Sequence, residues 1–225
     1  MSDYLAHVRA DVDAILGVLR LSDLTEPVGA CPGWTVRELV EHLGSVQRWA
    51  ANIVRTGAPS PLDEERGVDD LPRWFAEGAD ALIETLAAAD PDSQCWSFTS
   101  ARTRGFWLRR QALETVVHRW DAERAVGEPA PIDPELAADG VDEVVSLMTP
   151  RQIKLERMPP LPLTVELRAT DTGGQWLLGD GDAAATVEAS AETLLLLLWH
   201  RVDPGDPRVR TTGPADEVLR LALAP

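Results

Sequence analysis

Cysteine is scarce in this chain and lysine scarcer. Cys31 and Cys95 are far apart and form no C-x-x-C pair, which excludes a disulfide framework and a cysteine-rich structural zinc site. A reduced, cytoplasmic protein is the simplest expectation. Lys154 is the only lysine, and 21 basic residues face 37 acidic ones for a net charge of −16. The basic footprint that nucleic acid or an anionic membrane surface requires is missing, so neither is expected as a partner. Long apolar runs are missing too. The longest, Leu194 to Trp199, is far too short to span a bilayer. Met1-Ser2-Asp3-Tyr4 is not a basic stretch leading into an apolar run, so no secretory signal is expected. No internal repeat or low-complexity segment is visible.

What is there suffices for a proper core: 225 residues, 44% of them hydrophobic, with eight tryptophans. Tyr4 to Leu21 reads as a helix, with Leu5, Val8, Val12, Ile15, Leu16 and Leu19 on one stripe. Pro27, Gly29, Pro32 and Gly33 break the chain. A second helix begins at Trp34-Thr35, where Thr35 and Glu38 have capping-box spacing. Its buried stripe runs through Val36, Leu39, Val40, Leu43 and Ala50, with His42 on the flank. Asp63-Glu64-Glu65-Arg66 reads as a solvated loop. Leu71 to Ala89 and Thr103 to Val126 are the third and fourth helices. Four amphipathic helices suggest a bundle with sites between facing helices. A fifth helix is expected over Pro134 to Met148, then a proline-rich linker.

From Leu163 the period changes to two, as in a half-buried strand, and further short strands are expected at Gln175–Leu178, Ala184–Ala189 and Val209–Thr212. An apolar helix over Ala191 to Arg201 and a terminal one over Pro214 to Leu223 complete a β-β-β-α-β-α tail. The expected fold is therefore α+β, with a helical bundle over residues 1–150 and a small α+β domain over 151–225.

The chain is organised around Arg109 to Asp121 in the fourth helix. Leu113, Val116, Val117 and Trp120 form a buried face, and Glu114, His118 and Asp121 form a stripe beside it. Side chains four apart on a helix stand roughly 5–6 Å apart at Cβ, so Glu114 and His118 can share one ion. An ordinary Glu–His pair on a helix boundary is the competing reading. His42 supplies the third group that would tip the balance, because two imidazoles and a carboxylate are a common catalytic zinc set with one position left open. Asp121 is expected as a pocket residue or a carboxylate behind the ligands, competing with a plain surface charge. Arg110, one turn before Glu114, belongs to the same group. Cys31 and Cys95 read as small packed thiols rather than nucleophiles.

The segment Cys31-Pro32-Gly33-Trp34-Thr35-Val36-Arg37-Glu38-Leu39-Val40-Glu41-His42-Leu43 resembles a signature of the DinB-like, mycothiol-dependent maleylpyruvate isomerase family. Glu114-Thr115-Val116-Val117-His118-Arg119-Trp120-Asp121 is similar to a second one, and Leu194 to Arg201 resembles a segment of the family's C-terminal domain. The resemblance covers nearly the whole chain. It implies a DinB-like four-helix bundle followed by a small, sterol-carrier-like α+β domain. It implies a divalent metal, usually zinc, on His42, Glu114 and His118. It also implies mycothiol as the thiol cosubstrate and a small-molecule electrophile, handled by an isomerase or an S-transferase. The family's C-terminal domain supplies a catalytic arginine, for which Arg201 is the candidate, competing with an arginine that simply complements the dipole at a helix C-terminus; His200 before it stands where the family pattern has Gly. A non-enzymatic metal- or ligand-binding protein, and a carrier of apolar ligands, are the alternatives.

Overall fold

The computed structural model describes residues 3–224. The chain divides into two compact units, residues 1–130 and 131–225.

The first unit holds four long helices: α1 (Tyr4–Leu21), α2 (Val36–Thr56), α3 (Leu71–Ala88) and α4 (Arg104–Val126). α1 packs on α3 and α4, and α2 on α3 and α4. Each start has a local cause. Asp3, Asp70 and Thr103 accept hydrogen bonds from backbone N–H groups of the first turns of α1, α3 and α4. The Thr35–Glu38 capping box is formed, with the Thr35 N–H donating to Glu38 Oε2 at 2.7 Å. Gly57 ends α2 in the left-handed region, φ 71°, which favours glycine.

α4 departs from the one-faced helix that the apolar spacing predicts. It is buried on nearly every side, from Phe106 through Ala122, and its interior includes Arg110, Gln111, His118, Arg119 and Asp121. Trp120, expected inside, is half-buried, while neighbouring Arg119 is buried. Arg119 is held there by Asp11 Oδ1 at 3.1 Å and Glu123 Oε2 at 2.7 Å. Buried charges persist when paired and hydrogen-bonded, and the charged side chains inside α4 have such partners.

The second unit begins earlier than residue 150. α5 (Pro134–Glu143) packs against α7 (Ala191–Leu198), and the Ile132 N–H donates to Glu192 Oε1 at 3.0 Å, so this helix belongs with the sheet domain. The predicted end at Met148 also moves. The helix continues through a π-helical turn, Val144–Met148, into α6 (Thr149–Lys154). Pro150 lacks an N–H and its ring crowds the preceding turn, and the wider π turn, closed by the Thr149 N–H on Val144 O, accommodates it.

The sheet comprises β1 (Thr164–Ala169), β2 (Gln175–Leu178), β3 (Ala183–Ala189) and β4 (Arg210–Thr212), in the order β2-β1-β3-β4. β1 is antiparallel to β2 and parallel to β3, and β4 closes the edge antiparallel to β3. α7 packs on β1 and β3, and the short α8 (Asp216–Leu219) follows β4. α7 stops at Leu198, so Arg201 lies in the turn beyond it, next to His200 at φ 59°. No helix among the described residues is long and apolar enough to cross a membrane.

Candidate functional site

Three side chains named from sequence come together in the first unit. His42 on α2 and Glu114 and His118 on α4 each present a ligand atom, and no two of these atoms lie more than 4.8 Å apart. Glu114 Oε1 and His118 Nε2 stand 3.3 Å apart. The imidazoles of His42 and His118 meet edge to face, ring centres 5.8 Å apart. Ligand atoms around a tetrahedral zinc with bonds of about 2.0–2.2 Å lie about 3.3–3.6 Å from one another. The Glu114–His118 edge already has that length, and His42 needs only a small side-chain adjustment.

The neighbours orient this set in a way that suits a cation. His118 Nδ1 lies 3.1 Å from Asp121 Oδ2, an acceptor for its N–H, and in the neutral ring that tautomer leaves the Nε2 lone pair toward Glu114. In that tautomer two electron-rich atoms face each other, an arrangement that a shared cation would satisfy. Arg110 engages the other oxygen of Glu114, Oε2, and leaves Oε1 toward the histidines. Asp121 is fully buried, not a surface charge, and it touches His118 rather than joining the three ligand atoms. This is the outer carboxylate–histidine relation that fixes tautomer and ring orientation at metal sites.

His42 has a matching partner that the sequence did not reveal. Its Nδ1–H donates to Glu64 Oε1 at 2.9 Å, and Glu64 lies in the segment expected to be merely a solvated loop. Burial, and next to it the His118 imidazole, hold the His42 pKa below the usual histidine value against the opposing pull of Glu64. A neutral imidazole at neutral pH is what a metal ligand requires. Glu64 sits below the usual carboxylate range: burial works against this, but the hydrogen bond and charge of His42, with Arg66, outweigh it. The contact spans 22 positions of chain through an irregular loop, so no periodic pattern signals it. Trp34 packs beside His42, ring centres 5.0 Å apart, as a wall of the site.

Arg201 lies in the second unit. Its Nη1 donates to Trp199 O at 2.6 Å, and it lines a cavity of about 380 Å³ with His200, Asp203, Leu219 and Arg220. Cys95 is buried, its thiol donating to Ile53 O, and desolvation raises its pKa, as an inert packed thiol requires. Cys31 is half-buried.

Comparison with known proteins follows the same lines. Residues 5–123 match the mycothiol maleylpyruvate isomerase N-terminal domain, and residues 135–220 match the MDMPI C-terminal domain. Two curated relatives from Mycobacterium tuberculosis, the uncharacterised proteins MT0763 and Rv0738, are each 27% identical over 158 residues, 67% of this chain and 82% of theirs. The fold superposes on the crystal structure of the mycothiol-dependent maleylpyruvate isomerase with a TM-score of 0.71 at 14% identity, covering 93% of this chain and 92% of that one. A histidine-to-alanine mutant of that enzyme matches equally well. With both domain models matched in order along its length, the chain belongs to the mycothiol maleylpyruvate isomerase family.

Proposed function

We propose that this protein is a metal- and mycothiol-dependent enzyme that adds a thiolate to a small electrophile, as a maleylpyruvate-type isomerase or an S-transferase, in the cytoplasm. The observation that carries this reading is the convergence of His42, Glu114 and His118 within the family's helical unit. In this reading those three residues hold one divalent metal, with zinc the choice their two imidazoles and carboxylate favour. When bound, the metal supplies Lewis acidity that keeps the cosubstrate's sulfur as thiolate, whereas a free thiol, pKa ~8.5, is mostly protonated at neutral pH.

The chain's own residues have distinct tasks. Asp121 keeps the His118 proton on Nδ1 and so leaves Nε2 free to ligate. Arg110 occupies one oxygen of Glu114, which turns the other toward the histidines. Arg201 is the proposed catalytic group of the second unit. Thiolate addition to a double bond conjugated with a carbonyl places negative charge on that oxygen, and a planar guanidinium stabilises such charge or binds a substrate carboxylate in two places.

The test is elemental analysis of the purified protein, followed by turnover assays with mycothiol and maleylpyruvate or another electrophile. One divalent metal per chain, with turnover that needs both metal and thiol, is the expected result. Metal without any thiol-dependent turnover would make it a binding protein, and absence of both would end the proposal.

A further inference from the structure

The loop between α2 and α3 carries an unassigned role. Glu38, His42, Ser45 and Trp49 lie four, three and four residues apart and share one stripe of α2. The loop runs back along this stripe and is fastened to it repeatedly. Trp49 Nε1 donates to Ser60 O at 2.7 Å, the Glu65 N–H to Ser45 Oγ at 3.0 Å, and Arg66 Nη1 to Glu38 O at 3.0 Å. The Val68 N–H donates to Glu41 Oε1 at 3.0 Å, and from α3 the Trp74 Nε1–H reaches Glu65 Oε2 at 3.1 Å. Irregular chain held at this many points has a defined path. Glu64 lies in the middle of that path, with one carboxylate oxygen on His42 Nδ1 and the other on Arg66 Nη2.

We infer that Glu64 is a positioning residue for His42, so that the pinned loop of residues 60–68 is part of the metal site; this rests on the metal reading proposed above. The carboxylate fixes the proton on Nδ1 and the plane of the ring, which aims Nε2 at Glu114 and His118. His118 receives the same service from Asp121 within its own helix. Each histidine of the triad therefore has one carboxylate behind it. Glu114 and His118 are brought together by the spacing of one helix, with Arg110 and Asp121 beside them, whereas His42 meets them from α2 and takes its partner from the loop. Loss of a partner behind a metal-bound histidine typically weakens metal binding about 10- to 100-fold.

The test uses the full-length apoprotein, titrated with zinc against a chromophoric chelator and with cobalt(II) for its absorption spectrum. Wild type is compared with Glu64→Gln, Glu64→Ala, His42→Ala and the exposed control Glu84→Gln. The expected order is set by the hydrogen bond. Glu64→Ala weakens zinc binding about 10- to 100-fold and shifts the cobalt spectrum. Glu64→Gln keeps an acceptor oxygen without the charge and falls between Ala and wild type. Both retain one site per chain and the apoprotein melting temperature of wild type, and Glu84→Gln changes nothing. If both Glu64 variants bind as tightly as wild type while His42→Ala does not, the positioning role is overturned and the metal reading survives. If both lose affinity equally and melt earlier as apoproteins, the effect is loop folding and the inference fails. If wild type takes up no metal, or His42→Ala binds it unchanged, the underlying metal reading falls.

Discussion

Asp11 on α1 offers a measurable balance between burial and ion pairing. Its Oδ1 accepts from Arg119 Nε on α4 at 3.1 Å, while its Oδ2 is buried without a hydrogen-bond partner. Desolvation wins, and the carboxyl pKa rises to about 6 despite the attraction of Arg119 and, to a smaller extent, His7. In the unfolded chain an Asp titrates near ~3.9. The folded state therefore binds the proton more tightly, and folding stability falls as pH rises between the two values. The stabilisation is fully present below about pH 4 and is lost once pH has passed through about 6. A difference of about two units, at about 1.4 kcal/mol each, makes the loss about 3 kcal/mol. Asp11→Asn removes this titration but keeps an oxygen for Arg119. Urea unfolding of apoprotein, wild type and variant, in steps from pH 4.5 to 7.5, isolates the term, because the histidines and other carboxylates cancel in the difference. Wild type should lose stability relative to Asp11→Asn across that range. A constant difference would refute the raised pKa. A difference of opposite sign, with wild type weakening toward low pH, would mean that the pair with Arg119 outweighs burial.

Three further outcomes are expected. Gly44→Ala would place a Cβ 2.3 Å from the Trp74 ring, which Arg48 stacks on at 3.8 Å and Glu65 tethers. Overpacking costs about 1–3 kcal/mol against a helix gain of up to about 1, so chemical denaturation should show a net loss of about 1–2 kcal/mol. Arg201→Met should yield a folded, metal-loaded protein whose thiol-dependent turnover falls tenfold or more, and normal steady-state rates would remove Arg201 from the proposed mechanism. Because the three proposed ligands bridge α2 and α4, zinc at 100 times its Kd should stabilise the wild-type helical unit by about 2.7 kcal/mol and His118→Ala hardly at all, read by thermal melts with and without metal.

Much of this architecture was legible because it rests on local chemistry. The Val8–Val12–Ile15 stripe, the Thr35–Glu38 box and the alternation of Thr164 to Arg168 each report their own element and nothing further away. Failures occur where tertiary partners decide. Trp120, expected inside, is half-buried, while its neighbour Arg119 is buried because Asp11, Glu123 and the Ala130 carbonyl are all within reach. The helix after Pro134 runs past Met148 because a π turn absorbs Pro150, and α5 joins the sheet unit because its partner, α7, lies more than fifty residues ahead. The parallel pairing of β1 with β3 has no signature in either strand, and only the intervening antiparallel β2 makes it possible.

The same distinction runs through the candidate site. Arg110, Glu114, His118 and Asp121 succeed one another at four, four and three residues, so a single helix brings all four onto one stripe. That half of the site is readable from spacing, and the Arg110–Glu114, Glu114–His118 and His118–Asp121 contacts all lie within α4. The His42 half is assembled from α2 and from a loop whose only regularity is where it is fastened. A histidine on a helix flank looks the same in sequence whether or not a carboxylate waits 22 residues later. The resemblance of residues 31–43 to the family signature identified His42, but Glu64 falls outside that segment and needed the fold to bring it to Nδ1. The proposed ligands of α4 are therefore brought together by one helix, while orientation of the proposed α2 ligand depends on the packed unit. Substitutions that loosen the loop should act on metal affinity through His42, leaving the Arg110–Glu114–His118–Asp121 stripe in place.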